Sequence, residues 1–167
     1  YPGGPAIQLI SEECKNPTIK FPVAEISSNK FDFSFSGLKT SVLRYIQKIK
    51  SEFGSISQEE IENIAASFQL SVVKSLHKSI QRALDQFEFN SISLVGGVAA
   101  NKAIRRMIID ISSQYKKQVV IPDLEFCGDN AAMIAQRGSQ LHNSGKAYSL
   151  EFNAYPSLSG NYFNSVS

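Results

Sequence analysis

The apolar positions of the chain fall into two periods. Ile61, Ile64, Ala65, Phe68, Val72, Leu76, Ile80, Leu84 and Phe87 recur at three- and four-residue steps, one stripe that predicts a long amphipathic helix. Ser57, with Glu60 three residues on, makes a capping-box pattern at its start. An earlier helix is predicted where Val42, Leu43, Ile46 and Ile49 continue the same spacing behind Gly37-Leu38-Lys39-Thr40. Ser36 stands at its N-cap position and Phe53-Gly54-Ser55 ends it. Period two is found ahead of that helix, where Phe31, Phe33 and Phe35 alternate with Asp32 and Ser34 and predict a half-buried strand. Ile19 to Ile26, with Phe21, Val23 and Ile26, predicts a second strand that Pro22 confines to a sheet edge. A short helix over 6–14 follows the opening turn, Tyr1-Pro2-Gly3-Gly4-Pro5.

The second half alternates strand and helix. Ser91 to Val95 is a short strand ended by Gly96-Gly97, and a helix runs from about Ala100 to Tyr115. Val119 to Ile121 is a strand closed by Pro122, and Cys127-Gly128 leads into a helix from about Asn130 to Leu141. This alternation implies an α/β lobe with a parallel arrangement in the sheet and helices on its faces. Ligands in such sheets sit beyond the carboxyl ends of the strands. Both glycine-containing turns lie at that end, so they are read as one site. The lobe is expected to occupy residues 1–145, with a tail over 146–167 rich in Asn, Ser, Tyr and Gly.

Composition narrows the picture only a little. The 167 residues suit one domain with a real core, at 43% apolar and 19% charged residues. A net charge of +2 demands no general grip on nucleic acid, and the pairs Lys48/Lys50, Arg105/Arg106 and Lys116/Lys117 read as solvated helix faces. Cys14 and Cys127, the only cysteines, make neither a disulfide framework nor a CxxC metal spacing, which favours a reducing compartment such as the cytoplasm. No apolar run approaches the ~20 residues of a membrane span, and no signal-peptide pattern opens the chain. The Pro-Gly-rich start without Met suggests the C-terminal part of something larger.

The candidate chemistry lies in the two turns. Gly96 and Gly97 lack Cβ atoms, so a ligand can approach their backbone closely, with the free N–H groups of the following helix behind them. Asn101 both donates and accepts, which suits a ribose hydroxyl or a base edge. A tight strand-to-helix turn without a ligand would explain the same glycines. Asp129, at a helix start, is either an N-cap or a hard oxygen ligand for a divalent metal. Cys127 reads as a small core residue. Lys39 is the one cation in a strand-to-helix turn and could reach an anion. His77 and His142 stand alone on separate helices, and no HExxH, GxSxG, GxGxxG or Walker pattern is present.

Five segments in one order sharpen this reading. They are Tyr1-Pro2-Gly3-Gly4-Pro5, Phe33-Ser34-Phe35-Ser36-Gly37-Leu38-Lys39-Thr40, Ala66-Ser67-Phe68-Gln69, Gly96-Gly97-Val98-Ala99-Ala100-Asn101 and Asp129-Asn130-Ala131-Ala132-Met133-Ile134-Ala135. Together they resemble the C-terminal half of the TsaD family, the tRNA N6-adenosine threonylcarbamoyltransferases formerly labelled O-sialoglycoprotein endopeptidases or glycoproteases. The motif wording is closer to the bacterial and organellar branch. The resemblance implies an actin/Hsp70-like (ASKHA, RNase H-like) lobe, a mixed sheet with flanking helices. It also implies transfer of threonylcarbamoyl from its adenylate to N6 of adenosine 37 in tRNAs reading ANN codons. By position Asp129 matches a metal-ligand aspartate, Asn101 and Gly4 match substrate contacts, and Gly96 and Gly97 match the turn beside the nucleotide.

The same resemblance implies one divalent metal ion (iron, zinc or magnesium), shared with a histidine pair in an N-terminal lobe. Further implied partners are tRNA, and either helper proteins of the modification pathway or a second copy in a homodimer. With one ligand of three and half a cleft, this chain alone is expected to be inactive. Two other readings compete: a metal-dependent glycoprotease, and an ATP-binding lobe of an ASKHA kinase or chaperone.

Overall fold

The computed structural model describes residues 3–24, 31–32 and 34–146. The expected tail therefore lies, apart from Lys146, outside the described residues, as does Phe33. The elements are α1 (Gly3–Ser11), α2 (Ser36–Phe53), α3 (Gln58–Gln86), β1 (Ser91–Ser93), α4 (Lys102–Gln114), β2 (Gln118–Val120) and α5 (Ala131–Asn143), with 3-10 turns at Gly97–Ala100 and Leu124–Phe126. Contacts divide the chain into two compact units, Tyr1–Asp129 and Asn130–Ser167.

In the first unit β1 and β2 pair in parallel, with Ser91, Ile92 and Ser93 opposite Gln118, Val119 and Val120. The crossover between them is α4, the βαβ arrangement that alternation in the second half predicts. Ile104, Met107, Ile108 and Ile111 are the buried face of α4, a three- and four-residue repeat. They pack on Val72, Val73, Leu76, Ile80 and Leu84 of α3 and on Ile92 and Leu94 at the sheet. Burying each such side chain is worth about 1.5–3 kcal/mol, so this layer fixes where α4 begins and hence where the turn before it sits. The other half of the α3 stripe serves a second core, in which Ile64 and Phe68 meet Leu38, Val42, Tyr45 and Ile46 of α2, with Phe21.

The capping signals hold in part. The Ser57 hydroxyl accepts from Glu60 N at 3.2 Å, the first half of a capping box. The Glu60 carboxylate instead accepts from the Tyr45 hydroxyl at 2.6 Å, tying α3 to α2. At α2 the N-cap position belongs to Phe35, and Ser36 is the first helical residue.

The two strands expected ahead of α2 do not form among the described residues. Residues 19–24 form neither helix nor strand, and their backbone partners are side chains of α3 rather than another strand. Thr18 N donates to Asn63 Oδ1 (2.9 Å), Ile19 N to Ser67 Oγ (3.2 Å) and Ala24 N to Ser75 Oγ (2.8 Å), while Ser71 Oγ donates to the Phe21 carbonyl (3.3 Å). Ser67, Ser71 and Ser75 recur every fourth residue and are buried, so one face of α3 serves as the ladder for this segment. The alternating phenylalanines also diverge. Phe31 stacks at a tilt on Phe87 with centroids 5.3 Å apart, whereas Phe35 packs into the α2–α3 core. Their period of two reflects two separate packing sites.

In the second unit, α5 opens on Asn130, whose side chain accepts from Met133 N at 3.0 Å.

Candidate functional site

Leaving β1, the chain turns at Gly96, whose φ of +83° lies in the left-handed region where a side chain would be strained. A Cβ at Gly96 or Gly97 would meet nothing within 4 Å, so both face open space. Glycine is therefore needed at Gly96 for its backbone angle rather than to relieve crowding in the chain itself. The segment then tightens into the 3-10 turn, with Ala99 fully buried, and α4 starts at Lys102 rather than near Ala100.

Asn101 joins these pieces. Its Oδ1 accepts from Ile104 N at 3.0 Å, an N-cap of α4, while its Nδ2 donates to Gln69 Oε1 on α3 at 3.0 Å. Gln69 Nε2 in turn donates to Ser11 Oγ at 2.8 Å, and Ser11 Oγ to the Gln8 carbonyl at 2.8 Å. Lys102 N donates to Gln8 Oε1 at 3.0 Å. The expectation that the N–H groups opening α4 wait for a ligand is thus corrected at two positions, because those of Lys102 and Ile104 already have side-chain acceptors. The ligand-facing feature is the glycine backbone itself. Gly4, exposed on α1, lies one helical turn before Gln8. The network therefore gathers the helix of Gly4, the Gly96-Gly97 turn and Asn101.

The second turn follows β2. Cys127 is buried at 1% exposure, as its reading as a core residue expects. Asp129 is exposed two residues on. The N-cap of α5 is Asn130, so the N-cap reading of Asp129 is set aside. Arg105, one of the basic pair read as a solvated helix face, points inward. Its Nε donates to the Ala99 carbonyl, and its Nη2 donates to the Pro122 carbonyl at 2.8 Å and to Cys127 Sγ at 3.2 Å. One guanidinium thus spans both turns.

Among the described residues no group of three or more His, Cys, Asp or Glu side chains gathers as a metal site. As an exposed hard-oxygen donor, Asp129 fits the role of one ligand and does not by itself make a site. Lys39 borders a cavity of about 440 Å³ whose other walls are apolar, including Ile7, Ile10, Val42, Ile46 and Phe68. No residue of either glycine turn lines that cavity. No helix is long and apolar enough to cross a membrane among the described residues.

A family model described as TsaD, tRNA N6-adenosine threonylcarbamoyltransferase, matches residues 1–136. The chain belongs to the TsaD family. Proteins named tRNA N6-adenosine threonylcarbamoyltransferase are similar to it along most of its length. The one from Carboxydothermus hydrogenoformans is 41% identical over 158 residues, 95% of this chain and 45% of its own length. Those from Bacillus anthracis and Thermosipho africanus are also 41% identical, over 95% of this chain and 45% and 46% of their own lengths. The chain spans a little under half the length of these curated relatives. Membership in the TsaD family agrees with the resemblance carried by the five sequence motifs.

Within this TsaD-family chain, sequence reasoning missed Gln8 and Arg105 as organisers and gave Gln69 no role. Gln69 does sit in the Ala66-Ser67-Phe68-Gln69 motif, which was the available signal. Nothing distinguished Arg105 from its solvated neighbour Arg106.

Proposed function

We propose that this chain is the C-terminal, adenylate-holding lobe of a tRNA N6-adenosine threonylcarbamoyltransferase with the actin/Hsp70-like (ASKHA) fold. In the complete protein, a mixed sheet would extend the parallel pair and a second lobe would close the cleft. The observation that carries this reading is the joining of the open Gly96-Gly97 turn, Asn101 and the Asp129 loop into one unit, inside the region of the family match.

In the proposed reaction the N6 amine of adenosine attacks the carbonyl carbon of the threonylcarbamoyl group. The new N–C bond forms as the C–O bond to the phosphate breaks. AMP leaves with that electron pair, and N6 loses a proton. This chain's part is positional. The glycine backbone admits the adenylate closely, and Asn101, with Gly4 on α1, lines its approach. Fixing the reactive carbonyl relative to the incoming tRNA supplies rate by orientation. Asp129 would give one ligand to a divalent metal completed by residues outside this chain; such an ion would act as a Lewis acid and template. Partners in this reading are tRNA, the N-terminal lobe and either helper proteins or a second copy, and the compartment is the cytoplasm or an organelle.

Isothermal titration of a nonhydrolysable threonylcarbamoyl-adenylate analogue into the folded chain tests this reading. Weak binding, weakened further in Asn101→Asp and not reproduced by ATP, is the expected result. Binding of ATP with none of the analogue would favour the kinase- or chaperone-type lobe instead. The chain alone is expected to leave tRNA unmodified, and turnover by it would overturn the division of labour between lobes.

A further inference from the structure

We propose that Arg105 is a positioning residue that locks the Asp129 loop to the Gly96-Gly97 turn, so that both walls of the adenylate site move as one body. The proposal rests on the function proposed above for the importance of that site, and on the geometry alone for the lock.

Three features argue for it. First, the two segments that Arg105 joins follow different strands at the same carboxyl end of the parallel pair: Ala99 belongs to the turn after β1, while Pro122 and Cys127 belong to the loop after β2. Second, the bonds use the planar fork. One N–H at Nε serves the first turn and both N–H groups at Nη2 serve the second loop, so the relative placement of the segments is set by a rigid group. Third, the loop side is closed on itself. Cys127 Sγ donates to the Asp123 carbonyl at 3.4 Å, Cys127 N donates to the Leu124 carbonyl at 3.2 Å, and the thiol is buried. Holding Cys127 therefore holds the backbone two residues before Asp129. A lysine has the charge but only one nitrogen, and cannot reach both segments with the same geometry.

Hydrogen exchange on this chain reads the lock directly. In Arg105→Lys, amides over 96–101 and 123–129 are expected to exchange about tenfold faster while the α3 core is unchanged, the signature of local opening. Cys127, in a Cys14→Ser background, is expected to react with a disulfide-exchange reagent faster by a similar factor. Unchanged exchange in both segments, or an equal rise throughout the chain, overturns the lock. Should Arg105→Lys fail to fold, Cys127→Ala removes the sulfur's contacts with Arg105 and with the Pro122 and Asp123 carbonyls, leaves the bonds of Arg105 to Ala99 and Pro122 in place, and is expected to loosen 123–129 more than 96–101.

In the complete two-lobe protein, Arg105→Lys is expected to raise KM for the threonylcarbamoyl-adenylate about tenfold. A merely destabilised variant would lose active molecules and lower kcat at constant KM. An unchanged KM beside a loosened loop overturns the positioning role. Absence of any transfer by the unsubstituted complete protein would instead overturn the proposed function, while the exchange experiment would still decide the lock.

Discussion

Asn101 Nδ2 donates to Gln69 Oε1 at 3.0 Å, and this bond connects the turn after β1 to the middle of α3 across 32 positions of sequence. The other carboxamide atom of each residue is also engaged, Asn101 Oδ1 with Ile104 N and Gln69 Nε2 with Ser11 Oγ. Removing either side chain leaves partners behind on two elements. Asn101→Ala is expected to destabilise the chain by about 1–2 kcal/mol, the cost of a lost N-cap. Asn101→Asp keeps the cap but loses the bond to Gln69, so it should cost less than Asn101→Ala without being neutral. Urea denaturation of both variants checks this, and equal losses would mean the cap is not what Asn101 contributes.

Gln69→Ala should cost about 1–2 kcal/mol through the unpaired groups it leaves at Asn101 and Ser11. A double-mutant cycle with Asn101→Ala should show coupling of about 1 kcal/mol, as for residues in one network. Coupling near zero would show that the two side chains act independently.

The serine ladder of α3 makes a sharper demand. Ser75 is fully buried, accepting from Ala24 N at 2.8 Å and donating to the Ser71 carbonyl at 2.6 Å. Ser75→Ala leaves a buried N–H without its acceptor, at about 1–3 kcal/mol. Better helix propensity of alanine returns only about half a kcal/mol. The exposed Ser51, bonded only locally to the Lys48 carbonyl at 2.8 Å, is the control. Ser51→Ala should stay within about 0.5 kcal/mol of the parent. Similar melting of the two variants would refute the ladder.

These cases separate what was legible in the sequence from what was not. The helices α3 and α4 follow from periodicity, because their apolar residues face neighbours at the helical repeat, whereas the strands β1 and β2 follow from short runs closed by Gly96-Gly97 and Pro122. Residues 19–24 misled because their apolar positions look the same whether the backbone's partners belong to a strand or to serines 48 to 51 positions away. Phe31 and Phe35 misled because two unrelated packing sites happened to be spaced like one strand face. At the candidate site, Gly96 was legible because a left-handed turn selects glycine. Arg105 was not, since a basic residue beside Arg106 on a helix gives no sign of which one turns inward.

The pair Tyr45–Glu60 predicts a pH dependence. The hydrogen bond to Glu60, then burial, then the nearby negative charge push the Tyr45 hydroxyl up from 10.0 to about 12. A group whose pKa is raised in the folded state contributes stability that is complete below its unfolded value and is lost as pH rises through the folded one. The contribution is therefore present below pH 10 and disappears between pH 10 and about 12. Thermal midpoints measured across that window should fall more steeply for the parent than for Tyr45→Phe, which has no proton to lose. Parallel curves would show that Tyr45 is not held as its geometry implies.

The role proposed for Asp129 is separable from folding. Its carboxylate is exposed, and the cap of α5 belongs to Asn130, so among the described residues no fold contact rests on it. Asp129→Asn should therefore leave unfolding of the chain within about 0.5 kcal/mol of the parent. Because one oxygen ligand makes no closed site and no cluster of three candidate ligands exists among the described residues, the dialysed chain should carry no stoichiometric metal. For the complete protein, the proposed ligand role predicts that the same substitution lowers affinity for a divalent ion at unchanged stability, measured by metal content after dialysis and by titration of iron, zinc and magnesium in turn. Loss of stability without loss of metal would reverse the assignment and make Asp129 a structural residue.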